Sequence, residues 1–354
     1  MMKKVVVGMS GGVDSSVAAL LLKEAGYEVI GITLKLSSVE ACSSDVQICC
    51  SPQDVKDAKK VATYLGIQHY TVDWEDIFKE KVIAPFLEGY KAGLTPNPCS
   101  ICNREVKTGR LARYARLVLG ADYFATGHYI KKVDYKGFQL LARGKDIKKD
   151  QSYFMALVES EVIPWLLFPL GDLTKEEVRK IAAKHNLPVS TKKDSFEICF
   201  TAGKTPGEYI RQVKAFNLKE GKILTTDRKV VGKHKGLVDY TIGQRRGIGV
   251  SLGKPVYVID KDVEKNQLIV GTKEELLTET AKAKNFNFHL PLDYWEGDLY
   301  VQGRYKQKPI KVKDYSYKDG ILTVKFENPQ LKFAPGQILA VYKDDILLGG
   351  GEIV

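Results

Sequence analysis

No run of apolar residues in this 354-residue chain approaches the roughly 18 needed to cross a bilayer, and the longest, such as Val17 to Leu22, stop far short. The N-terminus passes at once into Val5-Val6-Val7, which leaves no room for a secretory leader. Internal repeats and low-complexity tracts are also missing, and nothing marks an apolar interface. These absences predict a cytoplasmic monomer with no membrane partner. Cysteine is sparse, six residues in all, which in an intracellular chain argues against a disulfide framework and for reactive or metal-binding thiols. Acidic residues are outnumbered by basic ones, and the net charge of +11 favours a polyanionic partner, with nucleic acid the leading candidate. What remains, 44% hydrophobic and 27% charged, is an ordinary globular composition, long enough for two or three domains of about 100–200 residues each.

The chain is organised around Gly8-Met9-Ser10-Gly11-Gly12-Val13-Asp14-Ser15. A buried-strand pattern, Lys3 to Val7, precedes it, and a helical pattern ending at Gly26 follows. A strand, a glycine turn and a helix N-terminus gather unpaired backbone N–H groups and the positive end of a helix dipole, a site for a phosphate. Two familiar phosphate loops do not fit. No Gly-Lys-Ser/Thr follows the glycines, so the lysine of a nucleotide-hydrolase loop is missing, and the glycines are adjacent instead of spaced as in a dinucleotide fingerprint. Asp14 is placed to cap the helix, to hold Mg²⁺, or both.

Further along, strand patterns at Glu28–Leu34, His69–Val72 and Tyr123–His128 alternate with helical patterns at Ser51–Leu65, Trp74–Tyr90 and about Asn103–Leu119. That alternation predicts an α/β class with a doubly wound parallel sheet. Ile130 to Arg143 reads as a hairpin about Tyr135-Lys136-Gly137, helical pattern resumes at Ser152, and Thr174 with Glu177 forms a capping box. Beyond Gly207 short alternating runs punctuated by Gly and Asp take over. The expected domains are 1–206, catalytic; 207–275, a small β-rich central module; and 276–354, a C-terminal β-barrel.

Asn97-Pro98-Cys99-Ser100-Ile101-Cys102-Asn103 is the second informative stretch: two thiols at C-x-x-C spacing on a proline-fixed loop suit a metal, an iron–sulfur cluster or sulfur transfer. Cys42, Cys49 and Cys50, with no histidine or C-x-x-C pairing, read as small buried residues or an oxidation-sensitive loop before a second metal site. Ser10-Gly11-Gly12-Val13-Asp14-Ser15 resembles the loop of the PP-loop ATP pyrophosphatases. Adding Thr95 to Asn103, Thr126 to Tyr129, Asp150 to Tyr153, Ser195 to Phe200, Gly243 to Gly247, Gly303 to Tyr305 and Pro335 to Gln337, the chain resembles the tRNA-specific 2-thiouridylases along essentially its whole length.

That resemblance implies ATP-dependent 2-thiolation of the wobble uridine of tRNA, in the Lys, Glu and Gln isoacceptors, through adenylation of the C2 oxygen. It implies that Gly8 to Ser15, Leu34 and Gly127 bind ATP with Mg²⁺. Cys199 would carry sulfane sulfur as a persulfide, and Cys102 would be the cysteine that helps release it. Asn97, Pro98 and Cys99 would lie against the target uridine, with His128, Lys149, Asp150, Gln151, Arg304, Tyr305 and Gln337 on tRNA. The sulfur donor would be a cysteine desulfurase, a relay protein or free sulfide. One departure stands out: the family usually has aspartate where this chain has Cys99. Cys99, Cys102 and Cys199 then suggest three ligands of a [4Fe–4S] cluster as an alternative to the persulfide. The basic clusters at Lys145, Lys148 and Lys149, Arg245 and Arg246, and Lys306 to Lys313 suit an RNA surface. The alternative outside this family is a small-molecule PP-loop ligase or amidotransferase.

Overall fold

The computed structural model describes residues 2–36, 52–194 and 198–354. The loop cysteines Cys42, Cys49 and Cys50, and Ser195, Phe196 and Glu197, lie outside the described residues.

The first sheet is wholly parallel. It contains β1 (Lys4–Gly8), β2 (Glu28–Lys35), β3 (Gln68–Asp73), β4 (Tyr123–Ala125) and β7 (Leu166–Leu167), in the spatial order β3-β2-β1-β4-β7. β1 is central, and Val5, Val6 and Val7 are fully buried, as the continuous apolar run of a strand covered on both faces requires. The chain winds outward from β1 through β2 and β3, then returns to place β4 on the other side. The strand order therefore reverses between β1 and β4, the switch point at which open parallel sheets bind ligands. The β1 loop leads into helix α1 (Val13–Glu24), and α2 (Pro52–Leu65) packs beside it.

Two longer helices are each widened by a π turn. The first runs from α3 (Glu75–Phe78) through a π segment, Lys79–Ile83, into α4 (Ala84–Lys91). The second runs from α5 (Pro98–Cys102) through a π segment, Asn103–Leu111, into α6 (Ala112–Leu117). In the second, Thr108 Oγ1 donates to the Asn103 carbonyl at 2.8 Å, and a β-carbon at Gly109 would sit 2.1 Å from the Arg104 carbonyl oxygen, so the wide turn closes only around glycine. The sequence places this helix from Asn103; it begins at Pro98, because Asn97 caps it and proline fits the first helical position. The helix expected from Ser152 is instead two short 3₁₀ turns, Ser152–Met155 and Ser160–Trp165, the second holding Pro164.

The hairpin forms as read, β5 (Ile130–Tyr135) with β6 (Phe138–Arg143). Lys136 and Gly137 both adopt positive φ (51° and 82°) in its two-residue turn. The hairpin does not join the first sheet: β6 pairs with β17 (Ile346–Ile353), so a piece of the first 206 residues extends the C-terminal sheet. In that sheet β12 (Leu277–Phe288), β15 (Ile321–Leu331), β14 (Ile310–Lys318), β13 (Leu299–Gln302), β16 (Ile338–Lys343) and β17 follow in order, and β12 pairs back to β17, closing a six-strand barrel. Between the two domains lies a four-stranded sheet of β10 (Tyr257–Asp262), β11 (Gln267–Gly271), β8 (Gly221–Thr225) and β9 (Val230–His234). Helix α7 (Lys175–Lys184) starts on the expected capping box of Thr174 and Glu177. Among the described residues no helix is long and apolar enough to cross a membrane.

Candidate active site

The glycine loop sits at the switch point. Gly12 is the N-cap of α1 but offers no side-chain cap, so the first N–H groups of the helix remain available to an anion. The loop is held from beneath. Met9 donates its N–H to the Ile32 carbonyl, Thr33 Oγ1 donates to the Met9 carbonyl at 2.8 Å, and Ser15 Oγ accepts from the Ser10 N–H at 3.1 Å. Ser15 and Ser16 both donate to the Gly12 carbonyl. Gly11 has φ +69°, and a β-carbon there would lie 2.2 Å from the Asp54 carbonyl oxygen, so this position demands glycine twice over.

Gly127, just past β4, completes the crevice. A β-carbon on it would come within 2.8 Å of both the Asp14 carbonyl carbon and the Ser15 nitrogen. Leu34 is buried at the far end of β2. The residues expected to bind ATP therefore gather at the ends of β1, β2 and β4.

The cation missing from the loop's own sequence stands opposite it. Lys175, the first residue of α7, places Nζ 2.7 Å from Asp14 and 2.8 Å from Asp194, with only 11% of its side chain exposed. Tyr129 donates its hydroxyl to the same Asp14 oxygen at 2.6 Å, and burial followed by the Asp14 charge raises the Tyr129 pKa. Asp194 also receives Lys149 and Arg179. Burial alone would raise the Asp194 pKa, but the hydrogen bonds and charges of Lys149 and Lys175 outweigh it and bring it down to about 2. On the other flank Lys192 donates to the Gly11 carbonyl and to Asp54 and Asp57. Its burial opposes the charge, yet the two carboxylates leave its pKa raised. Sequence reasoning missed Lys175, Tyr129, Lys192 and Asp194. Only the capping box at Thr174 hinted that a helix start, with Lys175 on it, would be fixed there.

The second cluster is the cysteine helix. The C-x-x-C pair lies on helix α5 and not on a loop, which corrects the sequence reading. Asn97 Oδ1 accepts from the Ser100 N–H at 3.1 Å, Pro98 opens the first turn, and Cys99 and Cys102 follow within it. Cys99 is partly buried and Cys102 is 7% exposed. Cys199, in a short 3₁₀ turn, is partly buried against the same hydrophobic cluster that contains Cys102. Its neighbour Phe200 packs edge-on to Phe78, Phe86 and Tyr209, fixing that turn to the first π-widened helix. Among the described residues no three His, Cys, Asp or Glu side chains are placed to hold one metal ion.

The residues expected on tRNA divide in two. Arg304 is exposed, and Tyr305 packs tilted against Phe154, ring centres 4.5 Å apart, with part of its ring open. The others are committed within the fold. Asp150, 6% exposed, accepts from Arg143, from the Gly144 and Ser152 N–H groups and from Ser152 Oγ. Gln151 accepts from the Tyr129 N–H, and Lys149 pairs with Asp194. His128 bonds Thr126, and burial together with the Lys107 charge pushes its pKa down to about 3, leaving it neutral at physiological pH. Gln337 donates to the Thr95 carbonyl at 2.7 Å.

Three family profiles match the chain in succession: a tRNA methyl transferase HUP domain over 3–203, a tRNA methyl transferase PRC-barrel domain over 208–272, and an aminomethyltransferase beta-barrel domain over 278–353. The chain is 63% identical over 353 residues to the tRNA-specific 2-thiouridylase MnmA of Persephonella marina, covering 99% of this chain and 100% of that protein. It is 51% identical over 353 residues to the protein of the same name from Aquifex aeolicus, with 99% and 98% covered. Against that of Clostridium acetobutylicum it is 44% identical over 356 residues, with both chains covered completely. The profile names speak of methyl transfer; the full-length relatives are named for thiolation.

Proposed function

Because the chain belongs to the tRNA-specific 2-thiouridylase family, we propose the route by which its own residues activate a uridine and deliver sulfur to it. The overall reaction is an ATP-dependent transfer of sulfur to C2 of a tRNA uridine. The small-molecule ligase or amidotransferase alternative is not favoured, since the similarity runs through all three domains.

The observation that carries the route is the glycine loop at the β1–β4 switch point with Lys175 facing it. A uracil C2 carbonyl is a poor electrophile because oxide is a poor leaving group. Attack of the C2 oxygen on the α-phosphorus of ATP, with loss of the N3 proton, forms the C–O–P link and expels pyrophosphate. The uncapped N–H groups of α1 and the Lys175 ammonium meet the charge that develops on pyrophosphate. Asp14, the loop's own carboxylate, would hold a Mg²⁺ that arrives with ATP and shields the phosphates. The terminal sulfur of a Cys199 persulfide then attacks C2 and AMP departs. Cys102 thiolate attacks Cys199 Sγ, which frees the sulfur on the base and leaves a Cys102–Cys199 disulfide for an external dithiol to reduce. What supports a partnership of the two thiols is that Cys199 packs against the hydrophobic cluster that contains Cys102. Turning out a base from a single-stranded anticodon loop avoids opening a duplex. The wobble position, the Lys, Glu and Gln isoacceptors and a cysteine desulfurase or relay donor are the family expectations adopted here.

The test is incubation with unmodified tRNA, ATP, Mg²⁺ and a persulfide or sulfide source under anaerobic conditions, followed by nucleoside analysis and iron determination. One AMP per 2-thiouridine in iron-free protein is expected. Activity that tracks bound iron and labile sulfide would replace the persulfide with a cluster, and absence of 2-thiouridine would remove the reading. A second expectation concerns Lys175. Lys175→Met weakens binding of a non-hydrolysable ATP analogue by about tenfold or more in titration calorimetry, the scale of one charge-assisted hydrogen bond. Unchanged affinity would mean that Lys175 stays with Asp14 and Asp194 when nucleotide binds.

A further inference from the structure

Two residues just ahead of the cysteine helix are gripped from both of the other domains. The Thr95 N–H donates to the Pro335 carbonyl at 2.8 Å, and Gln337 Nε2 donates to the Thr95 carbonyl at 2.7 Å, both from the barrel. From the central sheet, Lys261 Nζ reaches the Leu94 carbonyl at 3.4 Å and the Tyr240 carbonyl at 3.1 Å, and Thr241 meets the Thr95 hydroxyl at 3.4 Å. Gly336 lies against the same peptide, where a β-carbon would come within 2.9 Å of Leu94 Cβ.

Lys261 is the unusual member. Its two hydrogen-bond partners are both main-chain carbonyls, and burial lowers its pKa to about 8, only partly offset by the charge of Asp260 next to it. An ammonium is expensive to bury, and a methionine would fill the same space without that penalty. What the ammonium adds is several donors on one flexible stem, able to join carbonyls of two domains.

Resting on the reading that Cys102 and Cys199 handle the sulfur, we propose that Lys261 is a positioning residue for sulfur transfer: with Gln337 it fixes the Leu94–Thr95 peptide and so sets the placement of the helix that presents Cys99 and Cys102. The linkage between the grip and the thiols is stiff. Pro96 and Pro98 have fixed φ, and Pro96 lies against Gly89 of α4, where a β-carbon would approach to 2.3 Å. Asn97 between them caps the cysteine helix, and the Tyr153 hydroxyl hydrogen-bonds both the Asn97 side chain and Gln337. A shift at Leu94 is therefore carried to Cys99 and Cys102 and is not absorbed on the way. The two domains outside the nucleotide site thereby adjust the geometry of the sulfur chemistry without touching a reacting atom.

The experiment compares full-length wild type with Lys261→Met and Lys261→Arg, measuring kcat and KM for thiolation, equilibrium tRNA binding, and amide hydrogen exchange by mass spectrometry. Lys261→Met is expected to lose about tenfold to a hundredfold in kcat, as a misplaced reacting group does, with tRNA affinity and the KM for ATP within about threefold of wild type. Exchange should quicken only over 94–102, and Lys261→Arg, which keeps the donors, should recover most of kcat. Equal kcat in Lys261→Met and wild type overturns the proposal. So does a loss of tRNA affinity as large as the loss in kcat, which would make Lys261 an RNA contact, or faster exchange throughout the central sheet, which would make it a residue of that domain's stability. If wild type itself forms no 2-thiouridine, the sulfur reading fails, and the exchange over 94–102 still decides whether Lys261 holds the peptide.

Discussion

Cys199→Ser is expected to form no measurable 2-thiouridine from a persulfide donor, a fall of at least about a thousandfold, while still binding ATP. A serine hydroxyl does not ionise near neutrality and has no sulfur with which to form or resolve a persulfide. The change is nearly isosteric, and the turn is fixed by Phe200 among Phe78, Phe86 and Tyr209, so the fold should not register it. Excess hydrosulfide offered directly should restore part of the product, because the adenylated C2 remains electrophilic to whichever nucleophile reaches it. Liquid chromatography of nucleosides from the two reactions decides the matter. A wild-type rate with the persulfide donor would show that the sulfur travels by another carrier.

The second large effect is on stability. Asp150→Ala should destabilise the protein by about 3–5 kcal/mol, the usual consequence of leaving one member of a buried ion pair behind. Arg143 and Asp150 pair at 3.1 Å with side chains only 10% and 6% exposed. Arg143 also donates to Gln302 and lies 4.0 Å over the Tyr342 ring, while Ser152 joins Asp150 to the Tyr342 hydroxyl. Removing the carboxylate leaves the guanidinium with only the largely exposed Asp345, at 3.8 Å, as a carboxylate partner and orphans the Gly144 and Ser152 N–H groups. Denaturant unfolding of Asp150→Ala, Arg143→Met and the double variant gives the coupling directly, and the double variant should be more stable than Asp150→Ala alone. A loss below about 1 kcal/mol would mean that the pair is already well solvated.

Much of the nucleotide crevice was legible in the sequence because its signals are local. A β-branched run, adjacent glycines and a helical pattern define the loop within two dozen residues, and Thr174 with Glu177 announces α7. Tyr135-Lys136-Gly137 likewise specifies its own turn through positive φ. What the sequence concealed is pairing over long separations. Nothing near Arg143 says that β6 will meet β17, and nothing near Lys175 says that it will face Asp14. The start of the cysteine helix was a different failure: Asn97 and Pro98 are a helix N-cap and a first helical position, but two prolines so close together read more readily as an extended loop. Family resemblance raised Asp150 and Gln337 as RNA contacts, yet a motif does not reveal which way a side chain faces, and here both are engaged with protein.

The closure of the C-terminal sheet bears on how the protein is made. Ile338, Ala340, Tyr342 and Leu347 of the barrel share one hydrophobic core with Val6, Ile30 and Ile32 of the first sheet, so the two domains complete each other. The peptide ahead of the cysteine helix depends on the barrel as well. Its partners Pro335 and Gln337 precede β16, and the segment is tied into β17 through the Ile353 N–H and carbonyl. The peptide ahead of the cysteine helix therefore takes its final position only once the last strand of the barrel is in place.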